Sequence, residues 1–166
     1  MLRDPSLIPL SHQHQHGLAL CVLIERGLRT NASDAKADEL HEKLAAMVEV
    51  ELLHHFEVEE GVLFPAVREA IDSPQLVDEL VVQHREMEGL ARRIEEASGA
   101  DRVALLREFG ALLSGHIRTE ERRLFEEIQS KLSPEQLAEI GSNIDRTLRK
   151  VCPTSGKLPW EKIEEQ

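Results

Sequence analysis

The chain contains no tyrosine, and aromatic residues make up only 3% of its 166 positions. A core with so few rings must be built from Leu, Val, Ile and Ala, which suits helices better than sheets. The only cysteines, Cys21 and Cys152, form no CxxC pair and no disulfide framework. We therefore expect a reducing, cytoplasmic setting.

Long apolar runs and a cationic surface are also missing. No apolar run approaches the roughly 18 residues of a membrane-spanning helix, and the N-terminus shows no secretory signal. The 20 Lys and Arg residues face 31 Asp and Glu residues, which gives a formal net charge of −11. This charge argues against nucleic acids and anionic membranes as partners over a broad patch.

Helix signals dominate, and no segment has the pattern of a strand or a glycine-rich phosphate loop. We predict helices over residues 11–30, 35–70, 74–97 and 101–132, with Pro65 kinking or ending the second one. A capping box of Ser133 and Gln136 predicts a short fifth helix to about residue 150. Short connections favour an all-α, up-down-up-down four-helix bundle over residues 1–150. Residues 151–166 are expected to form an irregular tail, in which the position of Trp160 stays open.

The second and fourth predicted helices share one pattern. In both, a His is followed after three residues by Glu-Glu and after two more by Leu-Phe, once from His55 to Phe64 and once from His116 to Phe125. The first and third helices match more weakly, through apolar residues at equal distances after His14 and His84. The bundle is therefore predicted to consist of two related hairpins. The same comparison favours His14 over its neighbour His16, which stays as the alternative.

Residues four apart lie on one helix face, so a His and a Glu at this spacing can converge on a shared ion. Such pairs begin at His55, His84 and His116. Imidazole nitrogens and carboxylate oxygens are good ligands for iron, and also for manganese or zinc. Buried His and Glu side chains are costly without a compensating cation, so the pattern predicts a metal pair inside the bundle. Without metal, Glu59 and Glu120 should repel each other, which predicts a proton on at least one of them.

Several polar residues near the predicted ligands are less suited to bind metal. Glu60 and Glu121 are expected to face solvent. Glu51, one turn before the His of the second helix, is either a supporting partner or an ordinary helix residue. His54 is rotated by about 100° around the helix axis relative to His55. His41 lies 14 residues before His55, which is roughly 21 Å along the same helix. We expect neither of these two to bind metal.

These motifs resemble the hemerythrin-like family, also called the HHE cation-binding domain. The resemblance rests on residues 55–65 and 116–125, on the His-rich segment after Leu10-Ser11, and on His84, and it covers about residues 10–132. It implies a four-helix bundle that holds two irons, bridged by two carboxylates and an oxygen ligand of the oxo or hydroxo type.

Residue by residue, the resemblance implies that Glu59 and Glu120 bridge the irons. His14 and His55 would hold one iron, and His84 and His116 the other.

Oxygen carriers of the family have a second His four residues after the third-helix His, where this sequence has Glu88. We retain Glu88 among the candidate metal ligands, with a solvated helix charge as the alternative. It would make one iron more anionic, which disfavours reversible oxygen storage.

The resemblance thus implies binding or sensing of dioxygen or a related small oxidant, or of iron itself. The alternatives are a di-iron oxidase or peroxidase, and a metal-free helical interaction module. Because no tyrosine is present to support a radical, we favour binding or sensing over substrate oxidation.

Overall fold

The computed structural model describes residues 2–151 and 158–161, and none of these residues forms a strand. The prediction of an all-helical chain is confirmed. The part of the predicted tail that includes Cys152, residues 152–157, and the end, residues 162–166, lie outside the described residues. Among the helices that are described, none is both long and apolar enough to cross a membrane. The long helices are α1 (Ile8–Thr30), α2 (residues 34–67), α3 (Pro74–Glu96), α4 (residues 99–131) and α5 (Pro134–Val151).

Helices α2 and α4 contain widened, π-helical turns. In α2, the turns Val48–Leu52 and Glu59–Leu63 separate the α-helical segments Asp34–Met47, Leu53–Val58 and Phe64–Val67. In α4, the turn Glu120–Leu124 separates Gly99–Thr119 from Phe125–Lys131. Single π turns of this kind occur frequently at functional sites, and two of the three begin at a predicted bridging glutamate.

The helix ends show where local sequence signals decide the structure. Ser133 and Gln136 form the expected capping box, in which each backbone N–H donates to the other residue's side chain. Helix α1 begins at Ile8, three residues before Ser11, because Pro9 suits a first helical turn and Asp4 caps the preceding turn Pro5–Leu7.

Helix α2 continues past Pro65 and ends two residues later, at Val67. The ring of a helical proline normally crowds the carbonyl four residues before it. Here that residue is Gly61, which lies inside the widened turn Glu59–Leu63. We infer that the widened turn relieves this crowding, so that α2 continues beyond the proline.

Two apolar clusters form the core, and the predicted metal ligands lie between them along each of the four helices. One cluster includes Leu20, Leu44, Leu90 and Phe109, and the other includes Leu10, Leu63, Leu80 and Phe125. On α1, for example, Leu10 belongs to the second cluster and Leu20 to the first, with His14 between them. The polar layer is thus enclosed by apolar packing above and below.

Helix α5 covers the second cluster with one face. Its buried side chains are Leu137, Ile140, Ile144 and Leu148. Gly141 brings α5 close to the N-terminal turn, since a Cβ atom there would lie 2.6 Å from Cβ of Ser6. At the other cluster, Trp160 is buried and packs with residues of α2, which answers the question that the sequence left open for this side chain.

Candidate metal centre

Six of the seven predicted ligands meet in the middle of the fold. They form two groups that share both glutamates: His14, His55, Glu59 and Glu120 make one, and Glu59, His84, His116 and Glu120 make the other. Within each group the candidate ligand atoms lie within 4.8 Å of one another, and all six residues are buried. The four histidines come from α1, α2, α3 and α4, so each of these helices contributes to the site.

The imidazoles form two close pairs, one beside each end of the carboxylate pair. Nε2 of His14 lies 3.0 Å from Nε2 of His55, and Nε2 of His84 lies 3.2 Å from Nε2 of His116. Glu59 spans the two pairs, because its Oε1 lies 3.1 Å from Nε2 of His55 and its Oε2 lies 3.3 Å from Nε2 of His84. This is the position that a bridging carboxylate requires.

Glu120 faces the same two pairs from α4. Its Oε2 lies 3.1 Å from Nε2 of His14 and 3.3 Å from Nε2 of His116. Despite these short distances, no oxygen of Glu59 or Glu120 has a hydrogen bond with proper geometry, although all four atoms are buried. Buried carboxylate oxygens that accept no hydrogen bond are costly. The carboxylate oxygens and imidazole nitrogens therefore fit a pair of cations held between them.

Each imidazole is oriented by a hydrogen bond at its outer nitrogen. Nδ1 of His14 lies 2.7 Å from Glu121 Oε1, and Nδ1 of His84 lies 2.8 Å from Glu60 Oε1. Nδ1 of His55 and of His116 face the side-chain oxygens of Gln13 and Gln83, at 2.8 and 2.9 Å. A ring that donates from Nδ1 presents Nε2 to the centre, which is how metal-binding histidines are commonly held.

These contacts correct the expectation that Glu60 and Glu121 face solvent. Both carboxylates are partly buried, and each reaches a histidine on another helix. Their outer sides pair with arginines, Glu60 with Arg85 and Glu121 with Arg3. Gln13 and Gln83 were not predicted at all, although a Gln precedes the His in both halves of the repeat.

The electrostatics of the metal-free site place positive charge on the imidazoles. Burial lowers the pKa of His14, but Glu120, Glu121 and Glu59 outweigh it and raise this pKa well above its ordinary value. For His84, burial likewise acts to lower the pKa, and Glu59 and Glu120 raise it overall. These imidazoles therefore carry protons when no metal is present.

The glutamates respond in the opposite direction. Burial raises the pKa of Glu59, but the charge of His55 and contacts with His14 lower it well below its ordinary value. Burial and the charge of Glu59 act to raise the pKa of Glu120, but His116 and His14 leave it lowered. These directions run against the expectation that one of the carboxyl groups holds a proton, because the neighbouring histidines favour the ionised carboxylates.

Glu88 is the predicted ligand that the structure does not bring to the site. Its carboxylate lies 2.6 Å from Nη1 of Arg85, one turn back on α3, and it belongs to neither of the two groups of ligand atoms. The partly exposed guanidinium holds Glu88 at the surface, where a charge on each partner costs little. We therefore leave Glu88 out of the candidate centre.

The remaining histidines lie outside the two groups. Nδ1 of His16, the alternative to His14, lies 2.9 Å from the buried carboxylate of Glu51. Nε2 of His41 lies 2.7 Å from Glu95, and His54 contacts an exposed glutamate one turn along α2. Glu51 contacts no metal-site imidazole by a hydrogen bond in the described residues, so it is a neighbour of the site rather than a support for it.

A small cavity of about 10 Å³ borders the site on the side of the first apolar cluster. His14, His55 and His116 contribute to its wall, together with Gly17, Glu51 and apolar side chains. Such a volume holds about one water-sized molecule. The site therefore has room beside the imidazoles for about one water molecule.

Comparison with known protein families agrees with this geometry. A family model described as the hemerythrin HHE cation binding domain matches residues 9–128. The chain belongs to the hemerythrin HHE cation-binding family. The match begins just before the His-rich segment and ends after the second Glu-Glu motif, so it includes all six clustered residues. No curated protein and no solved structure matches this chain.

Proposed function

We propose that this hemerythrin-family chain binds a pair of non-haem iron ions and that the loaded centre binds or senses dioxygen or a related small oxidant. The observation that carries the proposal is the set of four buried carboxylate oxygens without hydrogen bonds, facing four Nε2 atoms. Manganese and zinc accept the same ligand types. A di-iron centre supplies reversible one- and two-electron chemistry toward such oxidants.

In this proposal His14 and His55 hold one ion, and His84 and His116 hold the other. Glu59 and Glu120 offset the charge of both ions and bridge them. Glu121, Glu60, Gln13 and Gln83 keep the four rings in the orientation that binding needs. The helices that carry these residues are inferred to form an up-down-up-down bundle as one domain over residues 1–150, and a cytoplasmic location remains a prediction from cysteine content.

The cavity that the imidazoles line favours binding or sensing over an oxidase or peroxidase with a larger substrate. A larger groove of about 840 Å³ beside Cys21 and Glu121 is lined by none of the six clustered residues. Space for about one water-sized molecule lies beside the imidazoles, and a substrate pocket of several hundred Å³ would be needed for a typical organic molecule. The metal-free interaction module is disfavoured because all four buried carboxylate oxygens of Glu59 and Glu120 lack a hydrogen bond of proper geometry.

The direct test is elemental analysis of protein loaded anaerobically with ferrous iron. We expect about two irons per chain, and an optical spectrum that changes when air is admitted. The variant His55→Ala should lose the iron, whereas His41→Ala should retain it, because His41 pairs with Glu95 away from the site. Equal iron contents in both variants would contradict the assignment, and fewer than about 0.2 irons per wild-type chain would favour the metal-free alternative.

A further inference from the structure

One methionine lines the small cavity beside the candidate metal centre. Met47, on α2, is 1% exposed, and it shares the cavity wall with His14, His55 and His116. The other buried methionine, Met87 on α3, is equally shielded at 1% exposure but is not among the residues that line this cavity. The two thioethers thus have the same burial and different access to the site.

The space around Met47 depends on the absence of a side chain at Gly17. A Cβ atom at this position would lie 2.9 Å from Cδ1 of Ile117 and 3.8 Å from Cε of Met47. The wall also contains the polar side chains of Gln13 and Glu51, and apolar side chains that include Leu113 and Ile117 from α4. A small uncharged molecule in the cavity is therefore bordered by metal-site imidazoles and by the side chain of Met47.

We propose that Met47 is an oxidation site, at which hydrogen peroxide that enters this side of the metal centre converts the thioether to the sulfoxide. The inference rests on the proposed function, since that function brings small oxidants to the same cavity. The sulfur lone pair attacks one oxygen of the peroxide, the O–O bond breaks, and a sulfur–oxygen bond forms while water leaves. The thioether loses two electrons, and the peroxide is reduced to water.

Oxidation at this position would act on the site through packing. The sulfoxide replaces a flexible apolar group by a polar, bulkier one, in a cavity that holds about one water-sized molecule. Its new oxygen would have to fit in a wall in which Gly17, Leu113 and Ile117 offer no side-chain donor. The oxidised chain should therefore be less stable, and the entry of further oxidant to the imidazoles should be hindered.

The test compares the two methionines within one protein. Iron-loaded and metal-free chains are treated with dilute hydrogen peroxide, and the sulfoxide content of the tryptic peptides that contain Met47 and Met87 is followed by mass spectrometry. We expect Met47 to oxidise at least about tenfold faster than Met87 in the loaded chain. Equal rates in both forms of the protein, or faster oxidation of Met87, would overturn the proposal.

The metal-free sample separates this inference from the proposed function. If elemental analysis shows that no iron binds, the proposed function fails, yet a preference for Met47 in the metal-free chain would still support an oxidation site reached through the cavity. If iron binds and the two methionines oxidise equally, the metal centre stands and the oxidation site does not.

A pair of variants links the chemistry to stability. Met47→Leu removes the sulfur at nearly constant volume, and Met87→Leu is the matched control. After peroxide treatment, the Tm of the wild-type chain and of Met87→Leu should fall by at least about 2 °C, whereas that of Met47→Leu should not change. A fall of the same size in Met47→Leu would show that another residue carries the damage and would refute the assignment.

Discussion

Nδ1 of His84 on α3 lies 2.8 Å from Oε1 of Glu60 on α2, and this contact holds the ring so that Nε2 faces the shared glutamates. The equivalent contact in the other half joins His14 on α1 to Glu121 on α4, at 2.7 Å. In both cases the acceptor directly follows a candidate bridging glutamate in the sequence. One Glu-Glu dipeptide thus supplies both a bridging carboxylate and the support for a histidine on another helix.

Removing this support should weaken metal binding without abolishing it. The variant Glu60→Ala leaves all six candidate ligands in place but frees the ring of His84, so we expect a 10- to 100-fold loss of iron affinity. Competition with a chelator measures the change. Glu57→Ala is the control, because Glu57 is exposed and, among the residues that the structure describes, forms an ion pair with His54 and with no metal-site imidazole. Unchanged affinity in Glu60→Ala would mean that the packing around the ring suffices to orient it.

The position of Glu88 gives a second, simpler comparison. Glu88→Gln should retain full iron content, since the carboxylate pairs with Arg85 outside the site. Glu59→Gln should lose most of the iron, because the amide cannot bridge two cations as a carboxylate does. Elemental analysis after identical loading measures both variants. A marked loss of iron in Glu88→Gln would return this residue to the ligand set.

Iron binding should release protons. Glutamates around His14 and His84 hold the pKa of each ring above its ordinary value, so protons must leave before Nε2 can bind a metal. The released protons can be counted from binding enthalpies measured in buffers of different ionisation enthalpy. We expect at least one proton per chain at neutral pH and an affinity that falls as the solution becomes acidic.

The same raised pKa values predict how the metal-free chain responds to pH. The stabilisation from protonated His14 and His84 is fully present below the pKa of an unfolded histidine and is lost as pH rises through the higher folded values. The free energy of unfolding of the metal-free chain should therefore decrease as pH rises through these pKa values, whereas that of the iron-loaded chain should not. Parallel Tm curves for both forms across this range would contradict the charge assignment.

Loaded protein should also be more stable at neutral pH. A ligand that binds only the folded state at a hundredfold excess over its Kd adds about 2.7 kcal/mol, which corresponds to roughly 5–10 °C in Tm for a domain of this size. Thermal scans with and without ferrous iron, under anaerobic conditions, test this. His55→Ala should show no shift under the same conditions.

The contact between α5 and the N-terminal turn allows a prediction about the fold alone. In Gly141→Ala, the new Cβ would lie 2.6 Å from Cβ and 2.7 Å from Cα of Ser6, so we expect a loss of about 1–3 kcal/mol in unfolding free energy. Gly89→Ala on α3 is the control, since nothing lies within 4 Å of its Cβ. It should be neutral or stabilising by up to about 1 kcal/mol. Denaturant unfolding of both variants measures the difference.

Apolar periodicity and the two repeated motifs are enough to predict the helices and the six residues that cluster at the candidate metal centre. His and Glu at a spacing of four define one helix face, so the inward position of His55 and Glu59 follows from the sequence. What the pattern cannot supply is the identity of the neighbouring helix. For this reason Glu60 and Glu121, rotated by about 100° from that face, were assigned to solvent although they reach histidines across the bundle.

The position of Glu88 outside the two groups of ligand atoms has the same origin. Its spacing from His84 equals that of Glu59 from His55, but Arg85 lies beside it and holds it at the surface. The widened turns at Glu59 and Glu120 were also not predicted, because residue spacing assumes a regular helix. The repeated Gln before His14 and His84 was visible in the sequence, and it was the signal for the supporting amides.

Each half of the repeat depends on the other for its supporting carboxylate, since Glu121 serves His14 and Glu60 serves His84. Neither hairpin, α1–α2 or α3–α4, would as a separate fragment contain all the metal ligands and supporting carboxylates that one cation needs. The first ion, held by His14, His55 and the two glutamates, would contact α1, α2 and α4 at once and fix the two carboxylates that also face the second position. Loading should then proceed with positive cooperativity, so that chains carrying a single ion remain scarce at every stage of a titration.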